Sequence, residues 1–320
     1  MSRLLLLGLG AGVAALASSW LVTARLRICG VRCSAWRYAL LRWRLRSKDD
    51  LIIIADFDRT ITTASCGISS HGVIESCKSL SAGYRDATHG MLNYYHPIET
   101  DPHLTREQKI PIMQEWYFKA HSLLLNEPLT EKILQEAADD AHIALRDGFV
   151  DLLLACKASG VPFIVCSAGL GNVVRAVLRT RLPRSADVES LPIVSNWVRF
   201  ESRPDGDGTI CGFTEPLIHM FNKNGPIIKE RIGYSQWNNL VGKRSTALLL
   251  GDSLGDATMA DEMGMTRVYK IGFLNERQPT RIAVNLINRL NAALPKYQQA
   301  FDALIIGDLS FDWVRKLTKL

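Results

Sequence analysis

From Leu51 onward the chain alternates short apolar runs with longer stretches whose apolar residues recur every three to four positions. The short runs, rich in aliphatic and β-branched residues, read as buried strands, and the longer pattern reads as amphipathic helix. Strands are predicted at Leu51–Asp56, Val161–Ser167, Thr246–Asp252, Thr266–Ile271 and Ala303–Ile306. Such alternation predicts an α/β fold built on a parallel sheet. Each of the first three strands ends in a hydroxyl or carboxylate residue just as a glycine-rich turn begins. In an open parallel sheet the ligand crevice lies beyond the carboxyl ends of the strands, so these three tips are expected to converge on one site.

Between the first and second of these strands, helical spacing runs through Ile74–Tyr95, Thr105–Leu125 and Leu129–Ala144, with Pro97, Pro102 and Pro128 as punctuation. An insertion of roughly a hundred residues is too long for a plain loop in a compact domain. It is expected to form a helical cap over the strand tips. A second excursion, "SNWVRFESRPDGDGTICGF", places two β-like runs around Asp205-Gly206-Asp207-Gly208, the signature of a hairpin. The expected division is an N-terminal segment over residues 1–48, a core over 49–61 and 146–320, and the cap over 62–145.

The N-terminal segment differs in kind from the rest. Residues 1–48 hold nine Arg and Lys and no acid, leaving 29 basic against 32 acidic residues beyond them, so the overall charge of +6 hides a slightly acidic globular part. A phosphate-tracking surface for nucleic acid is therefore not expected. Leu4 to Val22 is 19 residues without a charge, close to the ~20 that span a bilayer as a helix. With one Arg before the run and many after it, the expected arrangement is a membrane anchor with the catalytic bulk in the cytoplasm. A cleaved secretory signal and a mitochondrial targeting segment are the competing readings. The seven cysteines are scattered and contain no C-x-x-C pair, which fits free thiols in a reducing compartment.

The chemistry gathers at the strand tips. Asp56 and Asp58 fall on the same side of an extended chain. Carboxylates so close are tolerated when a hard divalent cation neutralises them, and Mg²⁺ prefers oxygen ligands. Asp252 and Asp256, in "LLLGDSLGDATMA", end another strand and extend the acidic set. Ser167, in "FIVCSAGLGN", is followed by the amides of Ala168 and Gly169, a candidate phosphate cradle at a helix start. Lys223, in "IHMFNKNG", supplies the opposing charge. An Asp nucleophile, a second Asp as acid and base, Mg²⁺, a hydroxyl and a Lys together suit phosphoryl transfer through an aspartyl-phosphate.

With these residues in this order the sequence resembles the haloacid-dehalogenase-like superfamily. Asp56-Phe57-Asp58-Arg59-Thr60 matches its D-x-D-x-[TV] motif, Ser167 its strand-ending hydroxyl, Lys223 its lysine, and Gly251-Asp252 through Asp256 its G-D-x-x-x-D. Within it, "DFDRTIT", "YYHPIETDPHLTREQKIPIMQEWYFKAHSLL", "CSAGLGN", "IHMFNKNG" and "LLLGDSLGDATMAD" resemble the cytosolic 5′-nucleotidase III, or pyrimidine 5′-nucleotidase, family over about residues 50 to 320. Arg59 stands where relatives are usually apolar, and "CGISSHGVIESCK" departs from a cysteine-rich version. The resemblance implies a Rossmann-like core with a cap. It implies Asp56 as nucleophile and Asp58 as general acid and then base. Mg²⁺ would be held by Asp56, the Asp58 main-chain carbonyl and Asp252, with Asp256 and Thr60 behind them. Ser167, Ala168 and Lys223 would bind phosphate, and Glu99 the base. The implied reaction is hydrolysis of a nucleoside monophosphate such as CMP, UMP or 7-methyl-GMP by water, or transfer to a nucleoside. A phosphatase for another small phosphomonoester and a membrane-anchored nucleotide-binding protein without turnover are the alternatives.

Overall fold

The computed structural model describes residues 30–101, 103–203, 208–275 and 293–320. Its strands are β1 (Gly30–Arg32), β2 (Leu51–Ala55), β3 (Phe163–Leu170), β4 (Ile193–Asn196), β5 (Val198–Phe200), β6 (Ile210–Phe213), β7 (Thr246–Gly251), β8 (Arg267–Leu274) and β9 (Ala303–Ile306). Seven of them form one sheet in the order β1-β9-β8-β7-β2-β3-β4, all parallel except β1, which runs antiparallel to β9. β5 and β6 make a separate antiparallel hairpin.

The central strands β2 and β7 are buried along their whole length, as continuous apolar runs in a parallel sheet must be. Their side chains divide by the period of two. Leu51, Ile53, Ala55, Leu248 and Leu250 join one core, and Ile52, Ile54, Ala247 and Leu249 join the other. The first core is covered by α6 (Phe149–Ala158), α7 (Gly171–Arg181) and α10 (Asp312–Thr318), through Phe149, Leu152, Val173, Val177, Val314 and Leu317. The second is covered by α8 (Gly225–Ile232) and α9 (Tyr234–Val241), through Ile228, Trp237 and Val241. The chain runs outward from β2 to β3 and β4 and then returns to β7 on the other side of β2, so the strand order reverses there. That switch point is where such a sheet opens a crevice.

Residues 30–48 do not stand apart from the core as the sequence suggested. β1 adds an edge strand, and α1 (Ala35–Arg44) packs against α10, with Tyr38 5.7 Å from Trp313 between ring centroids. The reason is an apolar stripe at helical spacing, Tyr38, Leu41 and Leu45, hidden in a run dominated by arginine; Leu41 and Leu45 are buried. The expected span over residues 4–22 lies outside the described residues. Among the described residues no helix is long and apolar enough to cross a membrane. The described cysteines are all free; Cys77, Cys156 and Cys166 are buried and Cys211 is exposed.

The segment expected as the cap holds α2 (Ser70–Glu75), α3 (Ala82–Thr100), α4 (Arg106–Leu124) and α5 (Glu131–Asp140). Side-chain N-caps from Ser69, Ser81, Thr105 and Thr130 start these helices, Thr105 within a full capping box with Gln108. Pro97 does not end α3; it sits one turn from the helix end, where one missing N–H bond is tolerated. The chain enters and leaves the cap through two paired linkers: Thr63 N donates to Ala144 O at 2.9 Å and Arg146 N to Ile61 O at 2.8 Å. The hairpin reaches up to the cap, with Ile210 N donating to Leu129 O at 2.9 Å and His121 stacked on Phe213 at 4.0 Å.

Candidate active site

Asp56 continues β2 by one residue, its N–H donating to Leu250 O at 2.9 Å, and is 5% exposed. The chain then swings through a wide turn over Phe57–Ile61, closed by Thr62 N donating to Phe57 O at 3.0 Å. Arg59 adopts a left-handed conformation, φ 62° and ψ 4°, which costs a side-chain-bearing residue roughly 1–2 kcal/mol. Its main chain explains the cost. Arg59 O accepts from Arg146 Nη2 and from Asn275 Nδ2, both at 2.7 Å, and Thr60 O accepts from Arg146 Nε at 2.9 Å. Position 59 therefore serves the site through its carbonyl.

The turn separates the two carboxylates that an extended chain would have kept together. Asp56 Oδ1 lies 2.7 Å from Lys223 Nζ. Asp58 faces the cap instead: its Oδ1 accepts from Ser70 N at 2.7 Å and its Oδ2 from Ser70 Oγ at 2.6 Å.

Lys223, 3% exposed, bridges Asp56 and Asp256, whose Oδ1 is 2.5 Å from its Nζ. Burial alone would drive the ammonium toward neutrality; Asp256 and Asp56 outweigh it and hold its pKa well above the ordinary lysine value. Burial pushes the Asp56 carboxyl well up, Asp256 and Asp252 push the same way, and Lys223 opposes them. Asn224 caps α8, and Gly225 N donates to Asp261 O at 2.9 Å, tying the lysine loop to the loop that follows β7. That second loop turns through a capping box in which Asp256 Oδ2 accepts from Ser253 N and Oγ, both at 2.9 Å. A Cβ on Gly251 would collide with the Asp256 side chain, which is the physical basis of glycine in G-D-x-x-x-D.

Carboxylate oxygens of Asp56, Asp252 and Asp256 lie within 4.8 Å of one another. The sequence placed Asp256 behind the metal ligands, and the structure brings its carboxylate into the cluster itself. Three carboxyl groups beside one ammonium make a setting of hard oxygen donors, which fits a divalent cation of the Mg²⁺ type. The Asp58 side chain is turned to Ser70, so any contribution to a metal falls to its main-chain carbonyl. Thr60 is fully buried, and its Oγ1 has no hydrogen-bond partner.

Ser167 lies within β3 and its Oγ accepts from Gly169 N at 3.0 Å, so the Gly169 amide is already engaged. α7 begins only at Gly171, two residues past the expected helix start at the cradle. Two residues that the sequence did not single out shape this stretch. Asn196 Nδ2 donates to Ala168 O at 2.9 Å and Ser195 Oγ to Gly169 O at 2.7 Å. Above the site, Tyr117 of α4 has its phenol pKa raised by burial first and then by Glu99, with Asp58 and Asp56 adding and Lys223 opposing. Its neighbours diverge: Trp116 stacks on Tyr95 within the cap at 5.4 Å, and His121 is buried against Phe213. Arg106 Nη2 donates to Phe221 O at 2.6 Å, fastening the start of α4 to the lysine loop.

Residues 57–320 match the pyrimidine 5′-nucleotidase (UMPH-1) family. A 7-methylguanosine phosphate-specific 5′-nucleotidase of Drosophila melanogaster is 34% identical over 274 residues, covering 84% of this chain and 79% of its own. The Homo sapiens enzyme of that description is 32% identical over 274 residues, covering 84% of each chain. The crystal structure of cytosolic 5′-nucleotidase IIIB bound to cytidine superposes with a TM-score of 0.76 at 30% identity, covering 90% of this chain and 92% of that one. The expectation of a membrane-anchored protein spanning at residues 4–22 is corrected by these matches: the superposed relative is a cytosolic nucleotidase, and no helix among the described residues is long and apolar enough to cross a membrane. In fold, in family match and in the order of its strand-tip residues, the chain belongs to the pyrimidine 5′-nucleotidase family.

Proposed function

We propose that this chain hydrolyses nucleoside 5′-monophosphates to nucleoside and phosphate with Mg²⁺, using Asp56 as nucleophile and Asp58 as acid and base. The observation that carries the reading is the buried Asp56–Lys223–Asp256 bridge beside Asp252, at the tips of adjacent parallel strands. Asp56 attacks phosphorus, the bond to the ribose 5′-oxygen breaks, and Asp58 gives that oxygen its proton. Asp58 then takes a proton from water as the water oxygen attacks phosphorus, and Asp56 is released as carboxylate with inorganic phosphate. Lys223 holds Asp56 by a direct ion pair and presents positive charge where the equatorial phosphate oxygens gain negative charge. Ser167 and the Ala168 main chain line the phosphate side, held by Asn196. Asp56, Asp252, Asp256 and the Asp58 carbonyl would hold Mg²⁺, with Thr60 behind them, and the bound ion supplies neutralisation of the substrate's negative charge.

In this reading residues 62–145 act as the substrate-selecting cap on a core formed by 49–61 and 146–320. Glu99 and Tyr117 face the base. Matches to 7-methylguanosine phosphate-specific enzymes and to a cytidine-bound structure support 7-methyl-GMP and pyrimidine monophosphates as the substrate class. Phosphate release from CMP, UMP and 7-methyl-GMP, assayed with Mg²⁺ and with excess chelator, tests this. Metal-dependent release from at least one is expected, and folded protein inactive on all three would refute the reading.

A further inference from the structure

One cap residue holds both oxygens of Asp58. Ser70, fully buried at the first position of α2, gives its N–H to Oδ1 at 2.7 Å and its hydroxyl to Oδ2 at 2.6 Å. The same residue rests on the phosphate-side main chain. A Cβ on Gly169 would run into Ser70 Oγ, and Gly169 N donates to Ser167 Oγ at 3.0 Å. Ser70 therefore touches the carboxyl on one side and the strand-tip backbone on the other, and it belongs to neither core segment.

We propose that Ser70 is the positioning residue for Asp58, setting the direction in which that carboxyl meets the leaving oxygen and the attacking water. This inference rests on the acid and base role assigned to Asp58 above. A carboxyl has about four lone-pair sites, so two bonds from Ser70 fix its plane and leave one site on each oxygen for the reacting groups. The N–H can only donate, whereas the hydroxyl donates or accepts. Ser70 can thus hold the carboxyl both with its proton and without it. Because the donor comes from the cap, Asp58 is aimed only while α2 is seated against the core.

The full chain with Mg²⁺ is assayed on three substrates: a nucleoside monophosphate, β-glycerophosphate and p-nitrophenyl phosphate. The first two have alkoxide leaving groups that need a proton, and the third does not. kcat/KM reports the steps up to release of the first product, so it isolates proton donation. Ser70→Ala is expected to lower kcat/KM on both alkyl esters by about 10- to 100-fold, the scale of general acid catalysis. The loss should appear in kcat with little change in KM, while p-nitrophenyl phosphate should stay within about threefold of wild type. Ser70→Gly, which also keeps the N–H and drops the hydroxyl, must repeat that pattern. An equal loss on all three substrates, no loss, or a gain on the alkyl esters would overturn the proposal. If wild type cleaves β-glycerophosphate and p-nitrophenyl phosphate but no nucleotide, the nucleotidase reading falls, and Ser70 is judged on those two substrates. If it cleaves none, both fall.

Discussion

Arg146 is the residue whose removal should cost most. Its side chain is fully buried and donates to Arg59 O (2.7 Å), Thr60 O (2.9 Å), Gly307 O (3.1 Å), Leu309 O (3.3 Å) and Asn275 Oδ1 (3.1 Å). It also lies 3.5 Å from Asp308, which accepts from the N–H groups of Ala64 and Ser65 on the linker into the cap. Arg146→Met keeps an unbranched side chain while removing every donor and the guanidinium that lies 4.7 Å over the Phe273 ring. Arg59 O keeps its bond from Asn275. The carbonyls of Thr60, Gly307 and Leu309 lose this donor, and the Asp308 carboxylate loses its counter-ion. Each buried carbonyl left without a donor costs about 1–3 kcal/mol, so a loss of about 3 kcal/mol is expected, and water reaching Asp308 keeps the lost ion pair a minor part of it. Urea unfolding should show that loss in the folding free energy. The left-handed Arg59 would lose one of the two donors to its carbonyl, so turnover of p-nitrophenyl phosphate, which needs no base recognition, should fall with it. Arg146→Lys should be intermediate, because an ammonium retains the charge but cannot span the five acceptors. An Arg146→Met protein within about 1 kcal/mol of wild type, a change ordinary for surface sites, would refute the claim that this guanidinium holds the turn.

Three further outcomes follow from the same geometry. Asp56→Asn should abolish turnover of every phosphomonoester while leaving the thermal midpoint unchanged or higher, since one of three clustered carboxylates is neutralised; measurable turnover would remove Asp56 from the role of nucleophile. Glu99→Ala should reduce kcat/KM for the preferred nucleotide at least about tenfold, the worth of one charge-assisted hydrogen bond, and leave p-nitrophenyl phosphate near wild type; equal loss on both would argue against contact with the base. His121, its ring nitrogens without hydrogen-bond partners, has its pKa lowered to about 3 by burial and then by His71. The unfolded chain takes up that proton below its ordinary value near 6.5 and the folded chain does not, so this stability is present above that pH and drains away as pH falls toward 3. By pH 5 the loss should reach about 2 kcal/mol, and His121→Phe should abolish that share of the pH dependence in urea midpoints. Identical pH profiles for the two proteins would refute the assignment.

Central strands were legible because burial on both faces forces continuous apolar runs, and Ala303–Ile306 matches β9 residue for residue. The sheet-edge strand β4 was not, because "IVSNWVRF" reads as one β stretch. Asn196 divides it by side-chain bonds to Ala168 O and Ile218 O, partners far away in sequence. Asp56, Asp252 and Asp256 could be picked out because strand ends and G-D-x-x-x-D spacing fix where such side chains emerge, whereas Lys223, on a loop, was marked only by the order of the family's motifs. Arg146 and Ser70 carry no such signal. Each is recognisable only by what folding brings to it: carbonyls from residues 59, 60, 307 and 309 for one, and the Asp58 carboxyl for the other. The side of the chain on which Asp58 emerges differs from expectation for a related reason. Alternation along a strand holds only while the strand lasts, and the turn beginning at Phe57 ends it.

That turn gives the D-x-D spacing its purpose. A continued strand would leave two carboxylates side by side, both repelled by Asp252 and Asp256. Rotating the chain at Asp58 and Arg59 keeps Asp56 with the lysine and the acidic cluster while delivering Asp58 to a neutral donor on the cap. The two groups thereby have different partners within three residues, an ammonium for Asp56 and a serine N–H and hydroxyl for Asp58, as the separate roles proposed for them need. Other ties hold the cap close to the same segments, Arg106 to the lysine loop and Leu129 to the hairpin. A cap that both contacts the base and aims Asp58, as proposed above, would make base recognition and leaving-group protonation depend on one docked geometry. Binding energy from the base can then raise kcat as well as lower KM, so a phosphomonoester without a base is expected to lose in turnover as well as in affinity.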